Sequence, residues 1–189
     1  LRQMVKEGVT GFSGVPSSYA HLLYRSPLQS FRSQLTTLRY CAQAGGNMPV
    51  KIKQELREAL PDHTDLFIMY GATEAAARLT CLEPGFLHEK PSSIGKPIAG
   101  VSLTVVNENG TAVKDGEVGE LVAKGPNVMV GYWKDQASTQ AVMSRHGYHT
   151  GDLGYKDTDG FYYVVDRKDN MLKIGGYRVN PQEVEEALS

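Results

Sequence analysis

Apolar positions in the first half of the chain alternate between two spacings. Tyr19, Leu22 and Leu23 behind Pro16-Ser17-Ser18 predict a short helix that opens on proline, whose missing N–H costs nothing in a first turn. Leu38–Ala42 reads as a short strand ended by Gly45-Gly46. Behind Pro49, Ile52, Leu56, Ala59 and Leu60 recur at helical spacing until Pro61 stops the run. Leu66-Phe67-Ile68-Met69 is then a continuous apolar strand. Strand, helix, strand is the opening of an α/β arrangement with a parallel sheet.

From Ile94 the pattern changes to short strands and glycine turns. Val101–Val106 leads through Asn109-Gly110 towards Val118–Ala123, a hairpin pattern with a long connection, and Phe161–Val165 follows the tight turn at Asp159-Gly160. This block predicts a small β-barrel or sheet. A third region starts near Asp169, with a strand-like Met171–Ile174, then Gly175-Gly176, then Asn180 as a helix cap, Pro181 in first position and Glu183 closing a capping box. The expected domains are therefore 1–93 (α/β), 94–168 (β-rich) and 169–189.

Composition narrows the function classes. The 189 residues are 41% hydrophobic and 22% charged with net charge -1, which gives no argument for nucleic acid or an anionic membrane as partner. Two cysteines, Cys41 and Cys81, do not suggest a disulfide framework. No apolar run reaches the roughly 20 residues needed to span a bilayer, so the expected compartment is the cytoplasm. The chain begins without methionine and stops inside a helix pattern, which reads as a piece of a longer protein.

Three stretches carry candidate chemistry. In Tyr70-Gly71-Ala72-Thr73-Glu74, Gly71 allows a sharp turn off the strand and Tyr70 can stack on a flat ring. Thr73 can donate to a phosphate oxygen, and Glu74 is a hard ligand suited to Mg²⁺ beside phosphates. The competing reading starts a helix at Thr73, continued by Ala75-Ala76-Ala77. In Tyr148-His149-Thr150-Gly151-Asp152, the aspartate could accept from both hydroxyls of a ribose, or it could bond its own backbone in a turn. Arg167 could fork onto ribose or phosphate, or belong to a solvated linker, Asp166–Asp169. Asp157–Gly160 fits a hairpin turn better than a calcium loop, no Cys/His cluster has zinc spacing, and no G-x-S-x-G elbow is present.

In their order along the chain, these motifs resemble the adenylate-forming superfamily of AMP-forming acyl-CoA synthetases, adenylation domains and luciferases. That superfamily carries Y-G-x-T-E, G-E-L, T-G-D, R-x-D and K-x-x-G. Here they stand as Tyr70–Glu74, Gly119-Glu120-Leu121, Thr150-Gly151-Asp152, Arg167–Asp169 and Lys173–Gly176. Gly14-Val15-Pro16-Ser17 and Ala44–Pro49 resemble upstream segments, so the likeness runs over nearly the whole chain.

The resemblance implies an ATP-dependent acid–thiol ligase of the acyl-CoA type, with ATP/AMP, Mg²⁺ and CoA and a carboxylic, fatty acid as small-molecule partner. It implies Tyr70 and Gly71 against adenine, Thr73 on phosphate and Glu74 on Mg²⁺. It also implies Asp152 and Arg167 on ribose, and Gly45 and Gly46 beside adenine and acyl group. Asp169 would be the hinge, with Lys173 and Gly176 facing the thioester-forming site. The acid pocket is expected near Val15, Tyr19, Gly45, Gly46 and Ala72. The family's phosphate loop and terminal lysine should precede Leu1 and follow Ser189, so the 189 residues alone are expected to be inactive. The alternatives are a domain that loads a carrier protein and a non-catalytic nucleotide- or acyl-binding relative.

Overall fold

The computed structural model describes residues 1–168 and, beyond them, the backbone of 172–174 and 177–179. Two compact units divide the chain, Leu1–Gly71 with Cys81–Gly95, and Ala72–Thr80 with Lys96–Ser189.

The first unit holds α1 (Arg2–Lys6), β1 (Gly11–Gly14), α2 (Pro16–Arg25), α3 (Leu28–Phe31), β2 (Tyr40–Gln43), α4 (Val50–Ala59), β3 (Asp65–Tyr70) and β4 (Thr80–Leu82, of which Thr80 is counted with the second unit). The sheet runs β1-β2-β3-β4, with β1, β2 and β3 parallel. This is the α/β start expected from the strand–helix–strand pattern. Strand β2 begins two residues later than its apolar run, at Tyr40.

Helix α4 buries Lys53, Leu56 and Ala59 on one face, with Leu60 just beyond, and Ile52 is only half-buried. Lys53 can sit there because its stem is apolar and its ammonium donates to the Pro91 carbonyl at 2.7 Å. Arg57 ties the end of the helix to the loop that follows by donating to the carbonyls of Leu60, the C-cap, and of Pro61 and Thr64 beyond it. Helix α2 is pinned by Tyr19, 0% exposed, whose hydroxyl sits 3.1 Å from the Phe12 carbonyl and 3.0 Å from that of Ala42.

The second unit holds β5 (Lys96–Pro97), β6 (Ser102–Val106), β7 (Gly119–Lys124), α5 (Gln136–Val142), β8 (Met143–Ser144), β9 (Gly147–Lys156), β10 (Tyr162–Arg167), β11 (Leu172–Ile174) and β12 (Tyr177–Val179). Antiparallel strands run β6-β7-β9-β10, with β8 on β9, and β11 pairs with β12. The expected hairpin of Val101–Val106 with Val118–Ala123 is the β6–β7 pair. The sheet is open, with β6 and β10 at the ends of its path, and is not a closed barrel.

Turn chemistry sets the register. Asn107 Oδ1 accepts from the amides of Asn109 and Thr111, and Asp157 Oδ1 accepts from those of Asp159 and Phe161. Inside the sheet, a Cβ on Gly119 would lie 2.3 Å from the Val106 carbonyl oxygen and one on Gly154 2.2 Å from that of Tyr163. Backbone occupies both spaces, so only glycine fits. Among the described residues, no helix is long and apolar enough to cross a membrane.

Candidate functional site

In the first unit, β2 and β3 run parallel with Gln43 opposite Ile68, so Gly45-Gly46 and Tyr70-Gly71 leave the sheet at the same carboxyl edge. Ligands of open α/β sheets bind at that edge. Gly45 has φ +80°, and a Cβ there would stand 3.2 Å from Val15 Cγ1. Gln43, 1% exposed, ties the loop by donating to the Gly46 carbonyl at 2.8 Å. Tyr70 is half-buried at the strand end and Gly71 is exposed. Tyr19 corrects one expectation: it is not pocket lining, because its ring is wholly in the core and its hydroxyl is spent on two backbone carbonyls.

In the second unit, the alanine run does not continue a helix. Thr73–Ala75 forms one 3₁₀ turn, after which Ala76 (φ 47°) and Ala77 (φ 69°) take left-handed backbone. Ala75 is buried beneath the turn, Thr73 is exposed, and Glu74 is half-buried. The segment after β7 grips this turn from outside. The Met129 amide donates to the Glu74 carbonyl at 2.7 Å, while Asn127 Nδ2 donates to the carbonyls of Ala75 (2.9 Å) and Arg78 (2.7 Å). The Tyr132 hydroxyl donates to Glu74 Oε1 at 2.6 Å. That bond, helped by Tyr148 and by the positive charge of Arg167, holds the Glu74 carboxyl below its ordinary pKa against the opposing effect of burial. Glu74 is therefore a carboxylate at neutral pH.

Thr150-Gly151-Asp152 lies where β9 leaves regular register against β7. Thr150 is buried, donates to the Leu121 carbonyl at 2.9 Å and accepts from the Asp152 amide at 3.1 Å. Gly151 supplies φ +75°, and its carbonyl receives the Lys168 amide at 2.7 Å. Strand β10 also shifts register between Val164 and Asp166, and Arg167 then falls opposite Asp152. Paired irregularities of this kind re-aim side chains. Arg167 Nε stands 3.8 Å from Asp152 Oδ1. Tyr148 lies buried beside both carboxylates; desolvation first, and then the charges of Glu74 and Asp152, push its phenol far above the usual range.

Of the residues singled out from sequence, the second unit thus brings Glu74, Asp152 and Arg167 together around Tyr148, with Thr73 on the same turn as Glu74. The first unit brings Gly45, Gly46, Tyr70 and Gly71 to one sheet edge. Asp169, Gly176 and the side chain of Lys173 lie outside the described residues.

Sequence reasoning missed three contributors. Tyr132 and Asn127 lie more than 50 positions from the turn they hold, and no local pattern marks them. Glu120 was visible only as part of a motif. Its carboxylate meets His149 Nδ1 at 2.9 Å and Lys168 Nζ at 3.3 Å, and His149 Nε2 meets Ser144 Oγ at 2.9 Å.

The donor set discriminates between kinds of metal site. Among the described residues, no group of three or more His, Cys, Asp or Glu side chains could cage an ion. One anionic Glu74 beside an exposed Thr73 suits a Mg²⁺ that arrives on phosphates, since Mg²⁺ is commonly held by one or two carboxylates plus substrate oxygens.

The chain is similar to several known proteins. A family model described as AMP-binding enzyme matches residues 1–133. The long-chain-fatty-acid–CoA ligase of Bacillus subtilis is 35% identical over 189 residues, covering 100% of this chain and 33% of its own length. The 2-succinylbenzoate–CoA ligase of Bacillus licheniformis is 38% identical over 153 residues, covering 80% of this chain and 31% of its own. Among solved structures, o-succinylbenzoate CoA synthetase (MenE) from Bacillus subtilis in complex with the acyl-adenylate intermediate OSB-AMP matches with TM-score 0.85 and 32% identity, over 99% of this chain and 37% of that one. The same synthetase has been solved with ATP and magnesium ion. Amide bond synthetase McbA from Marinactinospora thermotolerans matches with TM-score 0.86 and 28% identity, over 97% and 36%. The chain spans about a third of the length of the curated relatives it matches.

Proposed function

The chain belongs to the AMP-binding enzyme family, and from that premise we propose that the protein containing it is an AMP-forming acyl-CoA synthetase. The carboxylate of the acid attacks the α-phosphate of ATP and pyrophosphate leaves, and the CoA thiol then attacks the acyl-adenylate so that AMP leaves. The observation that carries this reading is the grouping of Glu74, Tyr148, Asp152 and Arg167 within one unit.

The residue roles follow from their chemistry. Asp152, partly buried and steadied by the hydrogen bond its backbone N–H donates to the Thr150 hydroxyl, accepts from the ribose hydroxyls, and Arg167 beside it donates to the same sugar. Tyr70 offers a ring face to adenine, while Gly45 and Gly46 let backbone approach base and acyl group closely. Thr73 donates to phosphate. Glu74 holds Mg²⁺, which, when bound, neutralises charge developing on the phosphate oxygens. Asp169 as hinge and Lys173 and Gly176 on the thioester-forming side complete the assignment.

A fatty acid is the proposed substrate, because the fatty-acid ligase relative matches along the whole chain. The likeness to an amide bond synthetase favours a second reading, in which the adenylate passes to an amine. Residues 1–189 alone are proposed to be inactive, since most of the relatives' length has no counterpart here. Steady AMP formation by the isolated 189 residues from ATP, fatty acid and CoA would contradict that. A pyrophosphate-exchange screen of the full-length protein over acetate, medium-chain, long-chain and aryl acids tests the main proposal. Acid-dependent exchange supports it, and exchange with none of the acids sinks it.

A further inference from the structure

Glu74 stands on a turn that its own sequence does not make rigid. The turn ends after three residues and exits through two alanines in left-handed backbone, a conformation that costs such residues energy. What fixes it is the segment 127–132. Asn127 and Met129 hold its backbone, and Tyr132, the larger influence on the carboxylate ahead of Tyr148, holds Oε1.

Tyr132 is in turn held in place. Its amide donates to Thr139 Oγ1 at 2.8 Å, and that hydroxyl donates to the Asp135 carbonyl at 2.7 Å. Asp135 caps α5 by accepting from the Ser138 amide at 2.9 Å. Gly131 has φ +152°, and a Cβ there would lie 2.7 Å from Thr139 Cγ2, so backbone runs directly against the helix. The tyrosine ring, 37% exposed, flanked by Val130 at 99% and Trp133 at 87%, adds little to any core. The hydroxyl is the part of this side chain with a defined partner.

From this we infer that Tyr132 is a positioning residue for Glu74. By holding one carboxylate oxygen, it sets the direction in which the other is presented to a cation carried on nucleotide phosphates. The inference rests on the proposed role of Glu74 as Mg²⁺ ligand. It assigns Tyr132 to the outer sphere of that ion, where loss of a partner typically weakens metal binding by about 10- to 100-fold.

The test is calorimetric titration of the full-length protein with ATP, with and without Mg²⁺, and with AMP in the absence of metal. Tyr132→Phe keeps the ring and removes the hydroxyl. The gain in ATP affinity conferred by Mg²⁺ should fall by about tenfold, while metal-free AMP affinity stays at the wild-type value. Thr139→Val, which loosens the backbone anchor and leaves the hydroxyl in place, should reduce the gain in the same direction by less. If Tyr132→Phe keeps the full Mg²⁺-dependent gain, or weakens metal-free AMP to the same degree, the positioning role is overturned and the functional proposal survives. If the wild type shows no Mg²⁺-dependent gain at all, both fall.

Discussion

Arg167 and Asp152 face each other across β9 and β10 with Nε and Oδ1 3.8 Å apart, and the arginine side chain is 58% exposed against 18% for the aspartate. A pair this long and this wet contributes little to folding, because solvent screens the charges and both side chains lose freedom. Its geometry suits a ligand that comes between the two charges. Arg167→Ala should accordingly change the unfolding free energy by less than about 0.5 kcal/mol. Amide hydrogen exchange in β9 and β10 checks this locally, and a loss of protection well beyond that would make the pair structural.

Thr150 is the opposite case. Its buried hydroxyl joins the Leu121 carbonyl to the Asp152 amide. Thr150→Val keeps the shape and strands both partners, at a cost of about 1–3 kcal/mol. Exchange should quicken in β7 and β9. Thr150→Ser, which restores the hydroxyl, should recover most of the loss.

The Glu120 carboxylate has a pH signature. Burial, the largest single influence, pushes its pKa up, but the His149 bond and the Lys168 charge together outweigh it and the net shift is downward. A carboxylate whose folded pKa is depressed contributes stability above its unfolded pKa and loses it as pH falls through the folded value. Glu120→Gln should therefore be less stable than wild type at neutral pH, and the gap should close on acidification through the carboxylate range. Urea midpoints of the two proteins at successive pH values read this directly, and a gap that widens on acidification would reverse the sign.

At Ala77, with φ 69°, the left-handed backbone costs an alanine roughly 1–2 kcal/mol, while glycine gives back about 0.5–1 kcal/mol through the flexibility of the unfolded chain. Ala77→Gly should be neutral to slightly stabilising, and the β-branched Ala77→Val clearly destabilising. Thermal unfolding of the three proteins orders them.

Much of the fold was legible because local signals agreed. Proline opened α2, the Pro49 and Pro61 brackets enclosed α4, and the apolar run gave β3. Where local signals were weak, elements went unseen. Strand β1 is Gly-Phe-Ser-Gly, with too few apolar positions to show a period, and α5 buries no residue and so has no apolar face. The alanine run supported only the competing helix reading: its helix propensity yields to the bonds from Asn127 and Met129, which pin residues 74–78 in a different course. Asp152 and Arg167 were legible as residue types within ordered motifs. Their meeting depends on two register shifts in β9 and β10, which sequence spacing does not encode.

The most direct measurement of the central claim is the ability of the full-length protein to tell AMP from its 2′,3′-dideoxy analogue. Hydrogen bonds to a charged group are worth about 1.5–3 kcal/mol, so the wild type should prefer AMP by at least about tenfold, and Asp152→Ala should cut that preference sharply, leaving only the part that Arg167 supplies. An equal affinity of the wild type for both nucleotides, or a preference undiminished in Asp152→Ala, would contradict the account.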